Sequence, residues 1–274
     1  MKPVRDDYSL MPNDFSAGDV HVSGQGDPLI LVHGNASTHE TWSGVVRHLA
    51  QDFQCISYDL RGHGPHPDSV EPYILDDLVD DLEEIRDRMA LEAVHIVGHS
   101  LGSMISAAYA HRYPNRVITL TLMATPAGRT AEERAKVNDL AELVRKNGVR
   151  ATLGTMVDSW YTSEFTVSNP QAIAHRLQQI TTIDRGVFLN DLALYAETEI
   201  EDWLPEIRIP TLVMTGEFAT GSGPRMSEII HRRLPDSELK IFDGLKNGIL
   251  TEIPDRVAEE VASFIRIKTN ATHG

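Results

Sequence analysis

Cysteine is nearly missing from this chain: Cys55 is the only one in 274 residues. No internal disulfide can form, and a reducing compartment is expected. Cys55 lies in an apolar run and reads as an inert buried thiol. Positive charge is scarce as well. Lys and Arg number 25 against 40 Asp and Glu, for a net charge of −15. That balance argues against nucleic acid and anionic membrane surfaces as partners. No apolar run approaches the ~18 residues of a membrane span. Met1–Leu10 carries no apolar segment of the secretory kind, so a cytoplasmic protein is expected. There are no repeats, no Gly-rich phosphate loop and no His/Cys/Asp/Glu spacing of a metal site, so neither metal nor cofactor is expected.

What is present is an ordinary globular balance, 41% hydrophobic and 24% charged, over a length that suits one large α/β domain. Residues 1–17 read as a polar tail or a first edge strand. A short strand over Asp19–Ser23 precedes Pro28–Val32, which is wholly apolar. Such runs suit a parallel sheet covered on both faces. A helix follows over Thr41–Gln51, then a strand over Cys55–Tyr58. Ile74–Met89 is an amphipathic helix with Leu75, Leu78, Val79, Leu82 and Ile85 on one stripe. Val94–Val97 and Val117–Met123 are further strands. This alternation implies right-handed crossovers and a doubly wound, mostly parallel sheet.

The rhythm breaks at Thr125-Pro126. Thr130-Ala131-Glu132-Glu133 is a capping box opening a helix to Asn147, with Gly148 as its stop. Asn169-Pro170 opens another helix, and Asp184–Glu197 is a third. Strands resume at Pro210–Thr215 and Glu238–Phe242, and Ile253–Ile267 closes the chain as a helix. Residues 127–205 are therefore expected to form a helical lid on a core of residues 1–126 and 206–274. The lid carries Met156, Trp160, Tyr161, Phe165, Phe188, Leu194 and Tyr195, some of which should line an apolar pocket.

The chain is organised around Val94–Gly102. An apolar strand runs into Gly98-His99-Ser100-Leu101-Gly102, and a helix of small residues follows. Strand, Gly-x-Ser-x-Gly and helix make a nucleophile elbow. The turn is tight enough that bulk two residues to either side of the serine is intolerable. The Ser100 hydroxyl would stand at the C-terminal end of a parallel strand, facing a crevice.

The order of these pieces resembles the α/β-hydrolase superfamily from about Asp19 to Ile267, and most of all its small lidded esterases, lactonases and carbon–carbon bond hydrolases. The matching motifs are His33-Gly34, Asp59-x-Arg61-Gly62-x-Gly64, Gly98-x-Ser100-x-Gly102, Thr215-Gly216-Glu217 and Glu252-x-Pro254. Serine at the elbow disfavours the epoxide hydrolases and dehalogenases, which use aspartate there. The resemblance implies an oxyanion hole of the backbone N–H groups of Leu101 and Asn35. A helix N-terminus at Leu101 favours that reading. His33, His99, Trp160, Tyr161 and Phe188 are expected to contact the substrate.

Serine needs a base, and a carboxylate to orient that base. The resemblance puts the acid two residues after Glu217 and the base five before Glu252. Here those residues are Ala219 and Asn247. An alternative acid position after Met123 reads Ala124-Thr125-Pro126, with no carboxylate. Glu217, Asp236 and Asp243 are weak substitutes. Of the 12 histidines, His33, His39, His63, His99 and His231 have no spacing that makes one of them the base. Asparagine cannot exchange a proton near neutral pH.

Three functions fit. One is a serine hydrolase disabled or recast, naturally or by engineering, at 219 and 247. Another is a cofactor-free lyase, isomerase or cyclase using the same pocket. The third is a ligand-binding protein on a dead hydrolase scaffold. In each case the partner is a small, mostly apolar molecule carrying a carbonyl or ester. A homodimer is an allowed assembly.

Overall fold

The computed structural model describes residues 9–10, 17–64 and 71–272, with side chains described over 17–64 and 71–270. An eight-stranded sheet is built from β1 (Ser9–Leu10), β2 (Val20–Ser23), β3 (Asp27–Val32), β4 (Phe53–Tyr58), β5 (Val94–His99), β6 (Val117–Met123), β7 (Thr211–Gly216) and β8 (Ser237–Phe242). Their order across the sheet is β1-β2-β4-β3-β5-β6-β7-β8. β1 and β2 are antiparallel to their neighbours, and every pairing from β4 to β8 is parallel. The expected doubly wound sheet is therefore present. Of the stretch 1–17, Ser9–Leu10 is a strand, while most of the remainder lies outside the described residues.

Side-chain alternation sorts each central strand between two cores. Leu29 and Leu31 of β3 face one side, with Trp42, Val45, Val257 and Val261. Ile30 and Val32 face the other, with Leu78, Leu82, Met104 and Ile105. The helices supplying these layers are α1 (Ser43–Leu49), α2 (Leu75–Arg88) and α3 (Leu101–Arg112). The α1 helix is shorter than expected because His39–Trp42 winds as a 3-10 turn. Burying one such aliphatic side chain is worth about 1.5–3 kcal/mol, so the paired layers dominate the fold's stability.

Between β6 and β7 come five helices and no strand: α4 (Ala131–Asn147), α5 (Leu153–Trp160), α6 (Ser163–Ser168), α7 (Pro170–Thr182) and α8 (Arg185–Glu197). The Thr130 hydroxyl accepts from the Glu133 N–H, and the Glu133 carboxylate accepts from the Thr130 N–H, which is the box the spacing predicts. Pro170 opens α7, and the Asp184 carboxylate caps α8 by accepting from Gly186 N–H at 2.7 Å. The chain returns to the sheet and continues through α9 (Pro224–Arg233), α10 (Ile249–Glu252) and α11 (Pro254–Thr272). Helices α5, α6 and α10 are too short to show a period in the sequence.

Polar contacts tie the helical insert to the core. Asp191 of α8 accepts from the Tyr73 hydroxyl at 2.5 Å and lies 3.1 Å from the His63 ring. Glu252 accepts from both the N–H and the hydroxyl of Thr162. The Lys246 ammonium donates to the Asp158 carbonyl. Among the described residues, no helix is long and apolar enough to cross a membrane.

Candidate active site

The residue after β5 is Ser100, whose φ of 54° and ψ of −119° lie where a residue with a Cβ is strained. Its N–H donates to the Met123 carbonyl at 2.9 Å, and its own carbonyl accepts from Ser103 and Met104 N–H. Bonds to β6 and to the first turn of α3 thus hold the strained backbone. Glycine on either side is a steric necessity. A Cβ on Gly98 would stand 2.5 Å from the Gly102 carbonyl oxygen, and one on Gly102 would stand 2.2 Å from that of Val32. The serine emerges half-buried at the wall of a cavity of about 270 Å³.

A second turn, after β3, stands beside it. A Cβ on Gly34 would come within 2.9 Å of the Ser100 Cβ, so only glycine lets the two turns approach this closely. Asn35 and Ala36 follow, with Ala36 at φ 55°. Asn35 lines the cavity. Leu101 is fully buried behind Ser100. Neither the Asn35 nor the Leu101 backbone N–H has an acceptor among the described residues.

His33 does not line the cavity. Its ring is buried, donating from Nδ1 to the Gly34 carbonyl at 2.8 Å and accepting at Nε2 from Leu60 N–H at 2.9 Å. Burial and the neighbouring His63 hold its pKa down at about 3. It is a neutral brace between two turns and not a substrate contact. His99 does line the cavity. Its Nε2 donates to the Asn247 carbonyl at 3.4 Å, and burial, with a contribution from the Arg176 charge, lowers its pKa to about 4. The ring is uncharged at neutral pH.

The loops after β7 and β8 close the opposite wall. Phe218 N–H donates to the Leu245 carbonyl, joining the two loops. The Asn247 carboxamide donates from Nδ2 to the Thr220 carbonyl at 3.3 Å and to Ser222 Oγ at 3.2 Å. Its Oδ1 is buried without a partner. Asn247 and Ser100 share the cavity wall, but no hydrogen bond joins them. Ala219 is half-buried and outside the cavity lining, where Thr220 and Gly221 appear instead. Ser222 is therefore the side chain beside the carboxamide, a point two residues of spacing could not resolve.

No imidazole hydrogen-bonds the Ser100 hydroxyl among the described residues. His39 is held by Asp59 at 2.9 Å, His63 pairs with Asp191, and His231 binds Ser237 on the far edge. Glu217 is exposed and accepts from Gly244 N–H. Asp236 pairs with Lys268 at 2.8 Å, and Asp243 is exposed. Away from the cavity, His21, His39 and Asp59 bring one ligand atom each within 4.8 Å. The β2–β4 pairing brings His21 to Asp59, and the 3-10 turn at His39 closes on the same carboxylate, so their spacing carries no signal. Asp59 Oδ1 there is already engaged by the His39 N–H.

The helical insert supplies the remaining wall. Trp160, Tyr161 and Phe188 line the cavity, together with Met156, Leu192 and Tyr195. Phe165 instead stacks on Tyr161, and Leu194 packs into the main core. Arg176 of α7 also lines the cavity. Nothing in the sequence marked it, because an isolated arginine on a polar helix carries no motif.

A family model described as the alpha/beta hydrolase fold matches residues 27–252. The chain is 22% identical to "3-oxoadipate enol-lactonase 1" of Acinetobacter baylyi, over 90% of this chain and 92% of that one. The crystal structure of the enol-lactonase from Burkholderia xenovorans superposes with a TM-score of 0.84 at 18% identity, covering 94% of this chain and all of that one. A malate-bound thermophilic esterase from Thermogutta terrifontis gives 0.82 at 24% identity, covering 95% and 98%.

Proposed function

The chain belongs to the α/β-hydrolase fold family, and we propose that Ser100 is its nucleophile in a serine-hydrolase-type site. The N–H groups of Leu101 and Asn35 form the oxyanion hole. Residues 127–205 are a lid over a core of residues 1–126 and 206–274. The ligand is a small, mostly apolar ester, lactone or related carbonyl compound, in keeping with the enol-lactonase and esterase likenesses. The observation carrying this reading is the Ser100 backbone: a strained turn fixed by three hydrogen bonds, opening on the cavity. Strain of this kind persists where surrounding structure enforces it, and it clusters at active sites.

Attack by Ser100 Oγ on a carbonyl carbon would place negative charge on the carbonyl oxygen, where two unpaired N–H donors can receive it. The serine proton must leave at the same time. Asn247 occupies the base position and has no proton affinity for the task. Its Nδ2 keeps the contact with the loop after β7 that an imidazole would make to its acid, with Thr220 and Ser222 as acceptors in place of a carboxylate. Loss of the base in a serine hydrolase costs on the order of 10⁴–10⁶ in turnover. Hydrolysis by this chain is therefore slow, and the pocket binds better than it cleaves.

A second reading rests on one further observation. The side-chain oxygens of Asn247 and Asn35 are both buried without partners, and both residues line the cavity. Two free acceptors beside an oxyanion hole suit a cofactor-free lyase, isomerase or cyclase that positions a donor on its substrate.

A fluorophosphonate decides between these states of Ser100. Slow labelling at Ser100, abolished by Ser100→Ala and accelerated by Asn247→His, is expected. Rapid labelling of the unaltered chain would mean that another group acts as base and would overturn the vacant-base reading.

A further inference from the structure

We infer that Arg176 forms an anion-recognition subsite, and that the ligand of this pocket carries a carboxylate in addition to its reacting carbonyl. The inference rests on the proposed site at Ser100 and deepens it.

Arg176 is the only charged side chain on the cavity wall among the described residues: no Asp or Glu lines it, and His99 is neutral. Two other arginines of the interior are compensated, while the buried Arg129, away from this cavity, has only the Thr198 carbonyl on its Nη1 and no partner on Nε or Nη2 among the described residues. Arg61 is paired with Asp81 at 2.5 Å, and Arg86 with Glu83 at 2.6 Å. Arg176 has no carboxylate partner among the described residues. Its Nη1 donates to the Ala36 carbonyl, its guanidinium carbon lies 5.1 Å from the Trp160 ring centre, and the Tyr161 hydroxyl stands beside it. A guanidinium has five N–H donors in a planar fork, so these neutral partners leave donors to spare. Burial disfavours its charge, which lowers its pKa from the ordinary value. Arginine nonetheless stays protonated in proteins. What sets Arg176 apart is its place on an otherwise uncharged cavity wall, where its spare donors can take a ligand carboxylate in bidentate contact.

The placement gives this charge a use. The carbonyl that Arg176 holds belongs to Ala36, the residue after Asn35. Its charge also reaches His99, the residue before Ser100. A carboxylate docked on the guanidinium would therefore share this small cavity with the oxyanion pair, beside the turn that carries Asn35. The apolar Trp160, Phe188 and Leu192 would cover the linking carbons. The rival role is a strut, in which Arg176 only holds α7 to the Ala36 turn.

Two phosphonate probes separate these roles. They share a short alkyl chain and a leaving group and differ only at the far end, carboxylate against carboxamide. The rate ratio for labelling Ser100, anionic over neutral, is expected to exceed ten in the unaltered chain. It should fall at least tenfold in Arg176→Gln and be partly kept in Arg176→Lys. A ratio near one in the unaltered chain, or a ratio untouched by Arg176→Gln, would overturn the subsite, whatever the variants do to folding or absolute rate. Should neither probe label Ser100, the nucleophile reading fails by itself. Calorimetry with glutarate against glutaramide then decides the subsite alone. A tenfold preference for glutarate that weakens as salt rises supports it, and equal binding refutes it.

Discussion

The two walls of this cavity differ in what they present to a ligand. On the β3 and β5 side stand glycine-enforced turns, a strained serine and two N–H groups without acceptors among the described residues, which are the features the proposed oxyanion hole calls for. On the β7 and β8 side, where the proposed reading would have a proton handled, no titratable side chain of the two loops lines the cavity. Its loops are bonded to each other, yet they present a carboxamide, a threonine carbonyl and a serine hydroxyl. On the proposed reading, binding and acid–base work are physically separable in this architecture. The first is built from backbone and steric necessity, the second from side chains that can be exchanged.

The contrast can be broken most forcefully from the vacated side. Asn247→His combined with Ser222→Asp puts an imidazole and a carboxylate where the existing contact is 3.2 Å. Hydrolysis of a p-nitrophenyl ester should rise by about 10²–10⁴, equivalent to ~3–5 kcal/mol of barrier. Asn247→His with Ala219→Asp should gain less, because Ala219 lies outside the cavity lining. Equal gains from the two pairs would show that the loop after β7 is oriented otherwise.

Acid should expose the intact side. His33, His95 and His99 have pKa values lowered to about 3, 4 and 4, in each case chiefly by burial. In the unfolded chain they titrate near 6.5, so unfolding takes up protons once the pH falls below that value. Their contribution to stability is full above about pH 6.5 and is lost as pH drops towards 4. The slope is up to about 1.4 kcal/mol per pH unit for each ring. His63 works in the opposite sense: burial is outweighed by Asp191, and its pKa is raised. Urea unfolding at pH 7, 6 and 5 should show the net decline, and a flat profile would refute it.

Gly102→Ala should cost about 3 kcal/mol or more in the same assay, because its Cβ meets the β3 backbone at 2.2 Å. The smallest effect is expected at the anchor of the insert. Thr162→Ala removes one hydroxyl donor to Glu252 and should lower stability by about 1 kcal/mol. It should loosen the insert without altering the serine turn.

The sheet was legible in the sequence because its strands are unbroken apolar runs, and the serine turn because steric exclusion leaves only glycine at 98 and 102. The capping box at Thr130 was legible for a similar reason: its bonds are local. Whatever depends on distant packing was hidden. Arg176 meets Ala36 across 140 residues, and no periodicity encodes that meeting. The expectation for His33 failed because a motif position beside a site can serve the site's frame. Its two ring nitrogens are both consumed by backbone groups. Ser222 displaced Ala219 because the loop after β7 turns under itself, with the Ser222 carbonyl bonded to the Thr215 hydroxyl.

The loop that carries residue 247 has a consequence for descent. Its course is set by main-chain groups: Leu245 C=O bonds to Phe218 N–H, Gly248 N–H to Trp160 C=O, and Asn247 C=O to the His99 ring. None of these bonds asks what side chain residue 247 bears. A single nucleotide converts an asparagine codon into a histidine codon, so the imidazole that the proposed serine site would need can enter or leave position 247 in one mutational step while these main-chain bonds keep the loop in place.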